Sequence, residues 1–222
     1  MNSILCIETS GLICSVALSQ NGDCKAFKSI SDEQYRHAEV LHTLIQEVLA
    51  EANVTLNSLK AIAISKGPGS YTGLRVGVSS AKGFCYGLGI PLIAINTLYL
   101  IGVDALTKHS GELPAAIIPM IDARRDEVYL QEFDQHLHLI TNPQPVILSD
   151  YHPDFDSILF CGDGCEKSKV NFTNSKHAFI PKAGALASNM CKIAYELFEK
   201  KAFEDVAYFE PFYLKEFYSG KK

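Results

Sequence analysis

Residues 66 to 89, KGPGSYTGLRVGVSSAKGFCYGLG, constrain the fold more than any other stretch of the chain. They follow LKAIAIS (59–65) and precede IPLIAI (90–95), two short and nearly continuous apolar runs that read as buried strands. Glycine permits positive φ and proline fixes the geometry beside it. Gly67-Pro68-Gly69 therefore swings the chain from strand into helix, with Ser70 or Thr72 placed to cap it. Strand, turn, helix and strand form a βαβ unit with a right-handed crossover. The chain is thus read as α/β.

Upstream, SILCIET (3–9) and ICSVALS (13–19) flank Gly11 as a hairpin, and DCKAFKSI follows Asn21-Gly22, the strongest short hairpin signal, as a third strand. From Tyr35 the period changes: Ala38, Leu41, Leu44, Ile45, Val48, Leu49 and Ala52 recur at helical spacing, predicting a helix over 35–52. The order βββαβα is complete by about residue 88. After a helical or irregular linker at 97–113, AAIIPMID, EVYLQEFD, HLHLI and SILFCGD (157–163) read as strands, and AGALASNMCKIAYELFEKK (183–201) as a helix. The second half loosely repeats the logic of the first, which predicts two lobes, 1–103 and 104–222, each with a mixed sheet and helices in βββαβα order.

Hydrophobic residues make up 47% of the 222 and charged residues 20%, which excludes a disordered or fibrous chain. Lys+Arg total 20 against Asp+Glu 25, a net charge of -5, so any phosphate backbone is held mainly by other chains. The seven cysteines, at 6, 14, 24, 85, 161, 165 and 191, show no C-x-x-C spacing and read as reduced thiols rather than a disulfide framework or zinc site. With no basic leader region and no apolar run near the roughly 20 residues a membrane helix needs, the reading is a soluble, cytoplasmic protein.

The glycine-rich turn lacks the Lys-Ser/Thr ending of a P-loop and is not G-x-G-x-x-G, so it is either a tight turn demanded by the fold or a phosphate cradle. In the helix after it, Gly73, Gly77 and Ala81 make a small-residue face, which admits a close neighbour from this chain or from a partner. Leu74, Val78 and Cys85 serve the internal core. His37 and His42 do not share a helix face as metal ligands would, and read as solvated or partner-facing. Asp122 to Glu127 form a charged turn, either a hairpin tip or a loop over a cleft. Gly162-Asp163-Gly164 is a turn first and a nucleotide-contacting loop second.

ILCIETSGLICSVAL, KGPGSYTGLRVGVSSAKGFCYGLGIPLIAINTL, IDARRDEVYL and PFYLK, in this order along the chain, resemble the TsaB (YeaZ) family. The resemblance implies an actin-like ATPase (ribonuclease H-like) fold of two lobes. It implies a role in forming N6-threonylcarbamoyladenosine (t6A) at adenosine 37 of ANN-decoding tRNAs. In that pathway a synthase makes threonylcarbamoyl-AMP, TsaD transfers the carbamoyl group to tRNA, and TsaE is a small ATPase. TsaB-like chains bind TsaD as non-catalytic paralogues, so the expected partners are TsaD, TsaE and, through the complex, tRNA. No cofactor of its own is expected, ATP being used by partner subunits.

TsaD-like proteins hold their metal with a H-x-x-x-H pair, and on that pattern this chain has Thr97 and Ile101, which cannot replace two imidazoles. The resemblance puts the TsaD-binding surface on the two helices of the first lobe, through His37, Leu41, Thr72, Gly73, Val76, Gly77, Ser80 and Ala81. The same surface is expected to pair two copies of the chain when TsaD is absent. The alternative reading, a stand-alone ATPase or small-molecule kinase of actin-like fold, would draw its nucleotide contacts from Glu8, Thr9, Ser10, Gly162 and Gly164.

Overall fold

The computed structural model describes residues 1–31 and 36–215. The chain forms two compact units. The first opens with β1 (Ser3–Glu8), β2 (Ile13–Gln20) and β3 (Asp23–Ser31), paired antiparallel, with Asn21 and Gly22 both at positive φ in the turn between β2 and β3. Then come α1 (His37–Glu51), β4 (Ala61–Gly67), α2 (Tyr71–Leu88) and β5 (Leu92–Asn96). The predicted start of the first helix at Tyr35 lies outside the described residues. The sheet order is β3-β2-β1-β4-β5, with β1, β4 and β5 parallel. This is the βββαβα order expected of an actin-like lobe.

Alternation along the strands gives this sheet two chemically different faces. Leu5, Ile7, Val16, Leu18, Ile62 and Ile64 bury one face against Leu41, Leu44, Ile45 and Val48 of α1 and Val78, Ala81 and Cys85 of α2. The other face is small and polar, with Cys6 and Glu8 in register with Ala17 and Ser15.

The second unit begins with α3 (Thr97–Lys108), whose first residue still belongs to the first unit, and continues with β6 (Ala116–Asp122), β7 (Glu127–Leu130), β8 (Phe133–Asp134), β9 (Gln144–Ile147), β10 (Ile158–Cys161), α4 (Cys165–Ser168) and β11 (Ala178–Ile180). Its sheet is also mixed, in the order β11-β10-β6-β7-β9, with β8 paired to β6. Phe160 anchors the core, stacked on Phe172 and Phe179 with ring centroids 4.7 and 5.2 Å away.

Three expectations need correcting here. EVYLQEFD breaks into β7 and β8, and HLHLI is a turn held by bonds to Asp134, whose Oδ1 accepts from the His136 and His138 amides at 2.8 Å. The edge strands β9 and β11 were not anticipated. The chain also does not divide at residue 103: the first unit is Met1–Thr97 with Ala185–Phe212, because α5 (Ala187–Glu199) packs on β1 and β2 rather than on the second sheet. The Ser15 hydroxyl accepts from the Ala187 amide, and the Ser19 hydroxyl donates to the Cys191 carbonyl, both at 3.0 Å.

After α5, the segment from Phe203 to Phe212 straps the edge of the first sheet. The Glu204 amide donates to the β5 carbonyl of Leu92 at 2.9 Å and the Phe212 amide to the Lys66 carbonyl at 2.7 Å. Lys82 of α2 donates to the carbonyls of Ala207 and Phe209 at 3.1 and 2.9 Å.

Gly73 and Gly77 of α2 meet Thr9, the residue after β1, head-on. A Cβ on Gly73 would fall inside the Thr9 carbonyl oxygen, and one on Gly77 inside the Thr9 hydroxyl and 3.0 Å from Ile64. Leucine at position 77 has nowhere to go. Gly77→Leu is expected to lower stability by at least about 2–3 kcal/mol, read as a fall in the denaturant midpoint; parental stability would show that the two segments can separate at little cost.

Candidate functional site

The segment after β1 and the first turns of α2 form one hydrogen-bonded block. The Ser70 amide donates to the Ser10 carbonyl at 2.7 Å, the Thr9 hydroxyl donates to the Gly73 carbonyl at 2.8 Å, and Ser70 caps the helix by accepting from the Gly73 amide at 3.2 Å. Two amides of the glycine-rich turn are thereby consumed within the chain, and so is the Thr9 hydroxyl. This satisfies the tight-turn reading of that loop and leaves Thr9 no hydroxyl proton for a phosphate.

Glu8 and Ser10 are likewise buried. Glu8 Oε1 accepts from the Ser10 amide at 2.5 Å, and the Ser10 and Ser65 hydroxyls stand beside the carboxyl. Burial pushes the Glu8 carboxyl above its ordinary range, and the bonds offered by Ser10 pull less strongly the other way.

Gly162 and Gly164 belong to the second unit and are explained by packing. A Cβ on Gly162 would strike the Met120 carbonyl, and one on Gly164 would lie 2.9 Å from the Ile121 carbonyl carbon. Beside them Asp163 Oδ1 accepts from the Asp122 amide at 2.9 Å. Lys167 donates to Asp122 Oδ1 (2.8 Å), the Arg125 carbonyl (2.9 Å) and the Glu127 carbonyl (2.6 Å), pinning a turn in which Arg124 and Arg125 both have positive φ. Burial alone would raise Asp122, but the Lys167 ammonium and the Arg124 amide outweigh it and hold the carboxyl below its usual range. The charged turn is a pinned hairpin tip.

The residues expected at a partner surface divide into two sets. His37, Leu41, Gly73, Gly77 and Ala81 are buried: His37 Nε2 bonds the Gly11 carbonyl at 2.8 Å, Leu41 lies in the core, and the small-residue face of α2 is filled by Thr9. The close neighbour is this chain's own Thr9, so these five are covered within the chain and support the helices from beneath. Thr72 is exposed, and Val76 and Ser80 are half-buried. They border an outer face that also carries Arg75, Ser79, Gly83, Tyr86 and Gly87 of α2 and His42, Thr43, Gln46 and Glu47 of α1. His42 meets Phe84 with centroids 5.9 Å apart, and Val40, Val76 and Phe84 form a partly exposed apolar seam over the core.

Sequence reasoning missed Gly83 and Gly87, whose Cβ positions meet nothing within 4 Å among the described residues, and Tyr86, which is 88% exposed. The signal was present as a second pair of helical glycines at i, i+4. Thr97 and Ile101, where TsaD-like proteins carry histidines, are buried.

Two mixed sheets, the first in βββαβα order, define an actin-like α/β protein. The family described as TsaD, tRNA N6-adenosine threonylcarbamoyltransferase, matches residues 31–219, and the chain belongs to it, in its TsaB (YeaZ) group. A tRNA threonylcarbamoyladenosine biosynthesis protein TsaB from Haemophilus influenzae is 35% identical over 130 residues, covering 59% of this chain and 53% of that protein. Its Escherichia coli counterpart is 32% identical over 132 residues, covering 60% and 55%. The aligned stretches thus span little more than half the length of these relatives. The solved structure of YeaZ from Pseudomonas aeruginosa superposes with a TM-score of 0.85 at 24% identity, covering 96% of this chain and all of that one. Among the described residues no helix is long and apolar enough to cross a membrane.

The folded protein holds the Glu8 proton more tightly than the unfolded chain. That contribution is fully present below the ordinary value of 4.5 and is lost as pH rises through the raised folded value. Glu8→Gln keeps the acceptor for the Ser10 amide and removes the ionisation. Its thermal midpoint should therefore gain on the parent as pH rises above about 4.5; parallel midpoint curves would show that the fold does not raise the Glu8 carboxyl.

Proposed function

We propose that this chain is a non-catalytic subunit that binds TsaD and activates it in forming t6A at adenosine 37 of ANN-decoding tRNAs in the cytoplasm. TsaE and ATP act through the partner subunits, and tRNA is engaged through the complex. The observation that carries the reading is the outer face of α1 and α2. Gly83 and Gly87 each cost this helix about 1 kcal/mol relative to alanine, and among the described residues nothing lies within 4 Å of where their Cβ atoms would stand. A second helix laid against this face recovers that cost through close backbone approach, with Val76, Phe84 and Tyr86 as apolar contacts. In the absence of TsaD the face pairs two copies of the chain about a twofold axis.

The non-catalytic assignment is supported by the residues at the family's reactive positions. Thr97 and Ile101 offer no imidazole, Thr9 is committed to Gly73, and Glu8 is buried. A net charge of -5 fits a subunit that leaves most phosphate contacts to its partners.

Threonylcarbamoylation of tRNA by the matching synthase, TsaD and TsaE, run with and without this chain, tests the role directly. Product is expected only when the chain is present, and full activity without it would overturn the reading. Gly83→Leu should weaken the heterodimer at least about tenfold, measured by titration calorimetry, without lowering the chain's own melting temperature. Parental affinity would place the interface elsewhere.

A further inference from the structure

Three of the seven cysteines come from distant parts of the chain and meet beneath α5. Cys6 is in register with Ala17, and Cys24 with Ser19 across the bulge between β2 and β3, on the sheet face opposite α1 and α2. The Ser19 hydroxyl reaches the Cys191 carbonyl at 3.0 Å, and one helical turn further on Tyr195 covers Gly22, 3.4 Å from where a Cβ would stand. Cys24 is flanked by these two contacts to α5; its thiol donates to the Ala26 carbonyl at 3.6 Å and lies within hydrogen-bonding reach of the Cys191 thiol. Cys6 lies within reach of Cys191 as well. Cys6 and Cys191 are buried, whereas Cys24 is exposed. Among the described residues no three His, Cys, Asp or Glu side chains are arranged to hold a metal ion, so the chemistry open to these thiols is their own oxidation.

We propose that Cys24 and Cys191 are an oxidative modification site that takes a hydroperoxide and closes into a disulfide joining β3 to α5. The Cys24 sulfur, as thiolate, attacks one oxygen of hydrogen peroxide. The O–O bond breaks, Cys24 becomes a sulfenic acid, and the released hydroxide takes up the thiol proton as water. The Cys191 sulfur then attacks the Cys24 sulfur; the S–O bond breaks, the S–S bond forms, and the second thiol proton leaves with hydroxide as water. Two thiols lose two electrons and one peroxide becomes two waters.

The surroundings set the threshold of this reaction. The Cys191 contact and then burial raise the Cys24 thiol. At Cys191 the pull of Cys24 is outweighed by Cys6 and burial, so both thiols stay protonated near neutral pH. The pair therefore answers to excess peroxide and is inert to traces.

The test is to treat the full chain with excess hydrogen peroxide, block the remaining thiols with an alkylating agent and map peptides without reduction. The expected result is one cross-linked peptide pair containing Cys24 and Cys191, with five thiols still alkylated out of the seven. The thermal midpoint should rise by roughly 5–10 °C and return on adding dithiothreitol. Cys24→Ser, at an exposed position, should remove both the link and the shift, and Cys6→Ser should keep both. Seven alkylated thiols after treatment, over-oxidation of Cys24 without a link, or a link made through Cys6 would each overturn the proposal.

Discussion

The contact between the end of β1 and the first turns of α2 is the constraint on which the first unit depends. Thr9 and Ser10 lie so close to the helix that glycine is required at 69, 73 and 77, and the hydroxyl of Thr9 closes the gap by bonding the Gly73 carbonyl. This fixes the rotation of α2 about its axis. Once Gly73, Gly77 and Ala81 are turned inward, Thr72, Ser79, Gly83 and Tyr86 must point outward. The surface proposed to meet a partner is therefore selected by an internal contact on the opposite side of the same helix. The strap that follows α5 secures the other flank, where Lys82 grips two of its carbonyls.

Much of this was legible in the sequence, and what was not has physical reasons. Alternation and the Asn-Gly turn expose the β1–β3 meander, and the apolar runs on either side of the glycine-rich turn expose the βαβ unit. The i, i+4 spacing of Gly73, Gly77 and Ala81 announces a close approach without saying by whom, because a small residue leaves the same mark whether its neighbour belongs to its own chain or another. The strands β9 and β11 are short edge strands with mostly exposed or half-exposed side chains, so neither carries an apolar rhythm. The amphipathic pattern of α5 shows that one side is buried but not which sheet it covers, and its attachment through Ser15 and Ser19 depends on two hydroxyls that read as ordinary strand residues.

The two faces of the first sheet divide the work. The face under α1 and α2 is built of branched aliphatic side chains and gives the helices a firm bed, as a recognition surface requires. The face under α5 holds a carboxyl, several hydroxyls and two thiols, with the Cys191 thiol of α5 above them, in a space where few of them reach water. Polar groups in such a setting are sensitive to protonation and oxidation in a way that leucine and isoleucine are not. The reactive chemistry of the molecule is concentrated there, away from the helices proposed to meet TsaD.

The return of α5 to the first unit has a consequence for biosynthesis. Residues 98–184 form an insertion within the first unit, and they emerge from the ribosome before the helix that covers the polar face of the first sheet. The second sheet has all its strands by residue 180, while the first waits for α5 and the strap that ends near residue 212. During translation the second sheet can therefore pair all its strands before the first sheet gains the helix and strap that cover it.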